Sequence, residues 1–150
     1  MLFQKGQTPQ FIEIRRIAYQ ETYPLRSAIL WPTDPSQVPL PTDPDGIHFG
    51  LFTSSAASAS PISVISLFLE PDSQARFRKF ATAAEAQGKG YGSQLLDHML
   101  SEAARQGVKR IWCTARTNQT GFYAKRGMSI VDGTESLQKG VAHIIMEKML

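Results

Sequence analysis

The residues with the clearest chemical potential form the segment Gln87-Gly88-Lys89-Gly90-Tyr91-Gly92-Ser93. Glycines let a backbone approach a ligand closely and adopt torsions closed to residues with a Cβ. The segment follows a strand-like run and opens a strongly amphipathic pattern, so its last residues begin a helix. Unpaired N–H groups and the positive end of the helix dipole favour an anion there, a pyrophosphate above all. Lys89 adds a mobile cation beside them. Taken alone, the same residues also describe a tight strand-to-helix turn that binds nothing.

Two familiar phosphate loops do not fit. A Rossmann fingerprint needs G-x-G-x-x-G, whereas the glycines here run G-x-G-x-G. It also wants an acid at the end of the next strand, which instead begins Val108-Lys109-Arg110. A Walker A loop needs Gly-Lys-Ser/Thr after a four-residue gap, and none follows. The pattern Q/R-x-x-G-x-G/A remains, carried by Gln87, Gly90 and Gly92. A second segment then follows the helix. The strand-like run Arg110 to Arg116 leads into Asn118-Gln119-Thr120-Gly121-Phe122-Tyr123-Ala124-Lys125-Arg126-Gly127-Met128. Read without the upstream loop, Tyr123 is an ordinary core tyrosine and Asn118 a helix N-cap.

Together the two segments resemble the GNAT superfamily of acyl-CoA-dependent N-acyltransferases. The first resembles its coenzyme A pyrophosphate loop. The second resembles its Asn and Phe-Tyr-x-x-x-Gly-Phe motif, with Met128 at the final aromatic position, a tolerated apolar swap. The resemblance implies that Gln87, Gly88, Lys89, Gly90, Tyr91, Gly92 and Ser93 hold the acetyl-CoA pyrophosphate. Asn118 would lie beside the pantetheine arm, Phe122 and Lys125 would also bind the cofactor, and Tyr123 would protonate the departing thiolate. The arm would enter between two splayed parallel strands, where backbone N–H groups at Phe80, Ala81 and Thr82 would polarise the acyl carbonyl. The implied reaction is direct acetyl transfer from acetyl-CoA to a primary amine of a small molecule or peptide. The rival is a non-catalytic acyl-CoA-binding sensor or interaction domain of the same fold.

Direct attack requires a neutral amine. A lysine-type amine has a pKa near 10.4 and an α-amine near 8, so a proton must leave. Many histone-type members carry a glutamate base early in the central strand, where this chain has Arg76, followed by Arg78 and Lys79. Glu70 and Glu85 are the nearest carboxylates, and Glu70 is the candidate base beside water-mediated removal. If Arg76 or Arg78 faces the acceptor cleft, it would favour an amine carrying a carboxylate or phosphate. The plainer reading is a solvent-facing basic strand end. His48 could line the acceptor side or sit satisfied in the core. His48, His98 and His143 lack metal-ligand spacing with each other or with Cys113, so no metal is implied.

Composition agrees with a single domain over residues 1–150, long enough to bury its own core. With 42% hydrophobic and 19% charged residues the chain is ordinary globular material. Its formal charge of +3 gives no concentrated basic face, so nucleic acid is not expected. The lone Cys113 excludes an internal disulfide and suits a reducing compartment. Residues 46–69 carry no formal charge, but six serines and Pro61 break the stretch, which reads as a hairpin, not a membrane span. Met1 to Gln10 lack a signal-peptide core, and a cytoplasmic protein is expected. Oligomeric state stays open between monomer and homodimer.

These groups need elements to position them. Phe11 to Tyr19 alternates as a strand, and residues 20–30 read as a helix ending at Trp31-Pro32. Five prolines between Pro32 and Pro44 imply an ordered or semi-rigid loop with polyproline character, where the family often has a second helix. Gly46 to Thr53 and Ile62 to Glu70 form the hairpin, and Arg76 to Ala83 the next strand. A helix from Gly90 to Gln106 sets Leu95, Leu96, Met99, Leu100, Ala103 and Ala104 on one stripe. Final strands fall at Ser129 to Asp132 and Val141 to Met149. The expected class is α/β (α+β): a mixed, mostly antiparallel sheet of about six to seven strands, helices on both faces, and a parallel central pair.

Overall fold

The computed structural model describes residues 11–150. The reading of Met1 to Gln10 lies outside the described residues. Strand β1, Glu13–Ile17, leads into a helical run made of three short pieces. These are a 3₁₀ turn at Tyr19–Thr22, helix α1 at Tyr23–Leu25 and a π segment at Arg26–Leu30. Pro24 sits at the opening of α1, where its missing N–H breaks no helical bond. The wide last turn closes with the Trp31 N–H donating to the Arg26 carbonyl at 3.0 Å.

The proline-rich stretch forms two 3₁₀ turns, Pro35–Gln37 and Asp43–Asp45, rather than a polyproline rod or a second helix. Each turn begins beside a proline, whose fixed φ suits that position. The hairpin follows as β2, Ile47–Phe52, and β3, Ser63–Glu70. Strand β4, Gln74–Thr82, precedes helix α2, Tyr91–Arg105, and strand β5, Arg110–Arg116. Helix α3, Thr120–Ala124, leads to β6, Ser129–Ile130, then β7, Ser136–Gln138, and β8, Val141–Met149.

The eight strands make one sheet in the order β1-β2-β3-β4-β5-β8-β6, with β7 also on β8. The strand beyond the expected six to seven is β7, a wholly exposed Ser-Leu-Gln that gave no apolar alternation to read. Every pairing is antiparallel except β4–β5. Successive side chains leave a strand on opposite faces. Phe49, Ile65, Leu67, Ala75 and Phe77 therefore join Leu95, Leu96 and Met99 of α2 in the core on one face. His48, Ser66, Arg76 and Arg78 alternate with them and face the helical run of residues 19–30.

Two departures from regular pairing prepare a site. Between β3 and β4 the register shifts, pairing Val64 with Ala81 but Ser66 with Arg78. Strand β4 thus carries one extra residue opposite Ile65, a bulge marked by Lys79 at φ 57°. Between β4 and β5, backbone pairing stops at Arg76↔Trp112. Both strands continue, to Thr82 and Arg116, without pairing to each other. The parallel pair is splayed.

Candidate active site

The splay opens a cleft of about 840 Å³ that runs from the start of α2, past the ends of β4 and β5, to α3. Its floor at the α2 end is the glycine-rich loop. Gly88 at φ 77° and Gly90 at φ 85° take left-handed torsions with no neighbour within 4 Å of a would-be Cβ. Torsion, not crowding, makes glycine favoured there. Gly92 differs: a Cβ would lie 3.3 Å from Phe80 and 3.4 Å from the Thr82 hydroxyl, so close approach of α2 to β4 selects it. No side chain caps the start of α2, and its first turn holds no acid. The positive end of the dipole therefore meets the cleft without internal compensation.

Of the loop residues, Gln87, Gly88, Gly90, Tyr91, Gly92 and Ser93 line the cleft. Gln87 is fixed by a 3.0 Å bond from its side-chain amide to the Thr82 carbonyl. Lys89 is exposed and stands just off the lining. Phe80, Ala81 and Thr82 line the wall beside the loop. At the far end Phe122 and Tyr123 contribute, whereas Asn118 and Lys125 are exposed outside it. Gln119, next to Asn118, reaches the cleft instead.

Tyr123 packs against Phe77 and Phe122, with ring centroids 5.8 and 5.2 Å away. Burial, reinforced by Cys113 and opposed by Arg116, pushes its phenol well above the usual range. It therefore stays protonated, as a proton donor must. Burial likewise pushes the Cys113 thiol up to about 12, which makes it a neutral neighbour and not a nucleophile.

The acceptor-side candidates separate sharply. Arg76 reaches across the splay, donating to the Thr114 hydroxyl at 3.2 Å and lying 4.5 Å over the Trp112 ring. It ties β4 to β5 just where backbone bonding ends. Arg78 lines the same cleft, but its side chain makes no hydrogen bond or ion pair among the described residues. Desolvation lowers the pKa of both, and the Arg76 charge adds to the effect on Arg78.

Two sequence candidates are corrected. Glu70 is not in the large cleft; it accepts a 2.7 Å bond from the Trp112 indole and faces a smaller cavity behind Arg76 and Arg78. His48 is a buried core imidazole, bonded to the Asp43 carbonyl through Nε2 at 2.8 Å and to the Ser66 hydroxyl through Nδ1 at 2.7 Å. Because a carbonyl only accepts, Nε2 carries the proton and Nδ1 accepts from Ser66. Burial lowers the His48 pKa and keeps it neutral.

Sequence reasoning passed over Trp31 and Lys79, which form the wall facing Arg78. The Lys79 ammonium donates to the Gln37 carbonyl at 2.8 Å and sits 5.3 Å from the Trp31 ring centre. A π turn is a recurrent signature of such sites, but nothing in Arg26–Leu30 announces one. No cluster of three metal-ligating side chains occurs among the described residues, and none of their helices is long and apolar enough to cross a membrane.

The chain is similar to known proteins over most of its length. Residues 51–150 match the family described as "Acetyltransferase (GNAT) domain". A relative from Bacillus subtilis (strain 168), the uncharacterized N-acetyltransferase YitI, is 32% identical over 146 residues, covering 93% of this chain and 97% of its own. A crystal structure of a putative N-acetyltransferase from Lactobacillus plantarum superposes with a TM-score of 0.76 at 21% identity, covering 93% and 98%. A Bacillus subtilis acetyltransferase solved in complex with CoA gives 0.70 at 16% identity, covering 95% and 99%.

Proposed function

The chain belongs to the GNAT acetyltransferase family, and from that premise we propose that it moves an acetyl group from acetyl-CoA directly to a primary amine of a small molecule or peptide. One observation carries the reading. The opening between β4 and β5 beyond Arg76↔Trp112 joins an uncapped helix start at one end to Tyr123 at the other. Helix start and glycine torsions fit a diphosphate, and the unpaired strand edges fit an amide-bearing arm.

Acetyl-CoA supplies a thioester acyl carbon already activated for attack by an amine. The protein's own residues do the rest. First-turn N–H groups of α2 and the backbone at Gly88 and Gly90 offer donors to negatively charged oxygens. The bulge at Lys79 frees backbone from the β3 ladder beside Phe80, which presents N–H groups toward an acyl oxygen. Tyr123 holds a proton at its hydroxyl for a departing sulfur. Arg78, cationic and without a side-chain partner, favours an acceptor that carries a carboxylate or phosphate.

Two measurements test this. Acetyl-CoA at 100 times its dissociation constant should add about 2.7 kcal/mol of stability, seen as a thermal shift that NAD does not give. Thiol release should then appear with a subset of an amine panel, acidic amines foremost. Binding without thiol release on any amine would instead assign a sensor role.

A further inference from the structure

Amine acetylation needs a group to accept the acceptor's proton, and no aspartate or glutamate lines the large cleft among the described residues. Its other titratable side chains are poorly suited. Arginines keep their protons at working pH. Cys113 and Tyr123 are pushed the wrong way for a base. Tyr91 belongs to the core beneath α2. His143 also lines the cleft, but from β8, on the far side of β5 from the wall that carries Arg78 and Lys79.

Lys79 is placed differently. It sits on the bulge itself, one residue before Phe80, so its amine and the freed backbone donors share one stretch of wall. The Gln37 carbonyl and the Trp31 ring hold its nitrogen, and the side chain lines the cleft. We propose that the neutral Lys79 amine receives the proton given up by the acceptor ammonium before attack. This rests on the acetyltransferase reading above. In the step, an N–H bond of the acceptor ammonium breaks, its electron pair stays on the acceptor nitrogen, and the proton binds the Lys79 lone pair. The resulting Lys79 ammonium returns the proton to solvent after turnover.

The surroundings supply the neutral amine. Burial first, then the charges of Arg78 and Arg26, bring Lys79 down to about 8; Asp43 pulls the other way, and Arg76 adds a smaller push downward. Asp43 is already committed to Arg26 in a buried ion pair. About a tenth of Lys79 is then neutral at pH 7, against well under a hundredth for an ordinary lysine near 10.4. An acidic acceptor held by Arg78 would offset part of that cationic field as it binds.

The first test needs no cofactor. Trace labelling of the whole protein with acetic anhydride across pH, read by mass spectrometry, should give Lys79 a midpoint near 8. A midpoint at the ordinary lysine value overturns the inference and leaves the acetyltransferase reading standing. The second uses Lys79→Arg, which keeps the charge and can donate to Gln37 but cannot act as a base. It should keep its acetyl-CoA thermal shift yet lose about 100-fold in kcat at neutral pH. The alkaline rise in wild-type rate near pH 8 should stay put as acceptors of different pKa are exchanged, and should vanish in Lys79→Arg. Should Lys79→Arg fold poorly, Lys79→Met must show the same loss in rate. Wild-type turnover in either folded variant overturns the proposal. A wild type that binds acetyl-CoA but acetylates nothing takes down both readings.

Discussion

Two clusters of charge lie on the same face of the sheet, and they have opposite fates. In one, Arg26 is fully buried and donates to both Asp43 oxygens at 2.8 and 2.9 Å, to the Val38 carbonyl and to the Ser66 hydroxyl. His48 completes it through Ser66 and the Asp43 carbonyl. In the other, Arg78 and Lys79 stand on the adjacent strand, with Ser66 the register partner of Arg78. There Lys79 has only a backbone carbonyl and a ring, and Arg78 has no bonded partner. The first cluster pins the 32–45 loop to the sheet. The second leaves positive charge for something brought from outside. Residue type does not separate the neutralised Arg26 from the unpaired Arg78; the presence of an internal carboxylate does.

The largest expected effect comes from breaking the closed cluster. Asp43→Asn leaves the buried Arg26 charge uncompensated and should cost about 3–5 kcal/mol of stability, measured by urea unfolding. A folded, equally stable variant would mean that the pair is not buried in solution.

The open side should behave in the reverse way, losing activity and not stability. Tyr123→Phe should lower thiol release about 100-fold with acetyl-CoA binding retained, and a wild-type rate would remove Tyr123 as the thiolate acid. A smaller effect is expected at Arg78. Arg78→Gln should raise KM about tenfold for acidic acceptors and leave neutral amines unchanged, the loss expected for one charge-assisted bond. Equal effects on both acceptor classes would contradict anion recognition.

The gentlest probe is acid. Burial holds the folded His48 below its ordinary pKa, so the unfolded chain takes up a proton first as pH falls below about 6.5. Burial alone would raise Asp43, but hydrogen bonds from Arg26 and the Leu40 N–H and the Arg26 charge outweigh it, leaving the carboxyl below its usual range. Both depressed values have the same sign. Stability should be full above about pH 6.5, decline modestly through His48, and fall again below about pH 4 as Asp43 protonates. Urea midpoints across pH should show two stages, and His48→Gln should abolish the first.

Legibility followed the same division. The loop at Gln87–Ser93 could be read because its signals are local: glycines, a lysine and a helix stripe lie within a few residues. Strands β2, β3, β5 and β8 were readable from alternation or apolar runs. The π turn was not, because Arg26–Leu30 is widened by packing and not by propensity. Lys79 looked like part of a basic strand end, since the shift that turns it into the cleft depends on how β4 meets β3.

Sequence alone therefore determined the order of elements, the glycine-bearing helix start and the tyrosine after β5, all encoded by neighbours in the chain. Tertiary structure decided which charges are neutralised. It enclosed Arg26 with Asp43, took Glu70 to Trp112, locked His48 between Ser66 and a carbonyl, and left Arg78 and Lys79 facing the cleft. The reason is that burial and partner distance set the state of an ionisable group, and both arise only when distant segments meet.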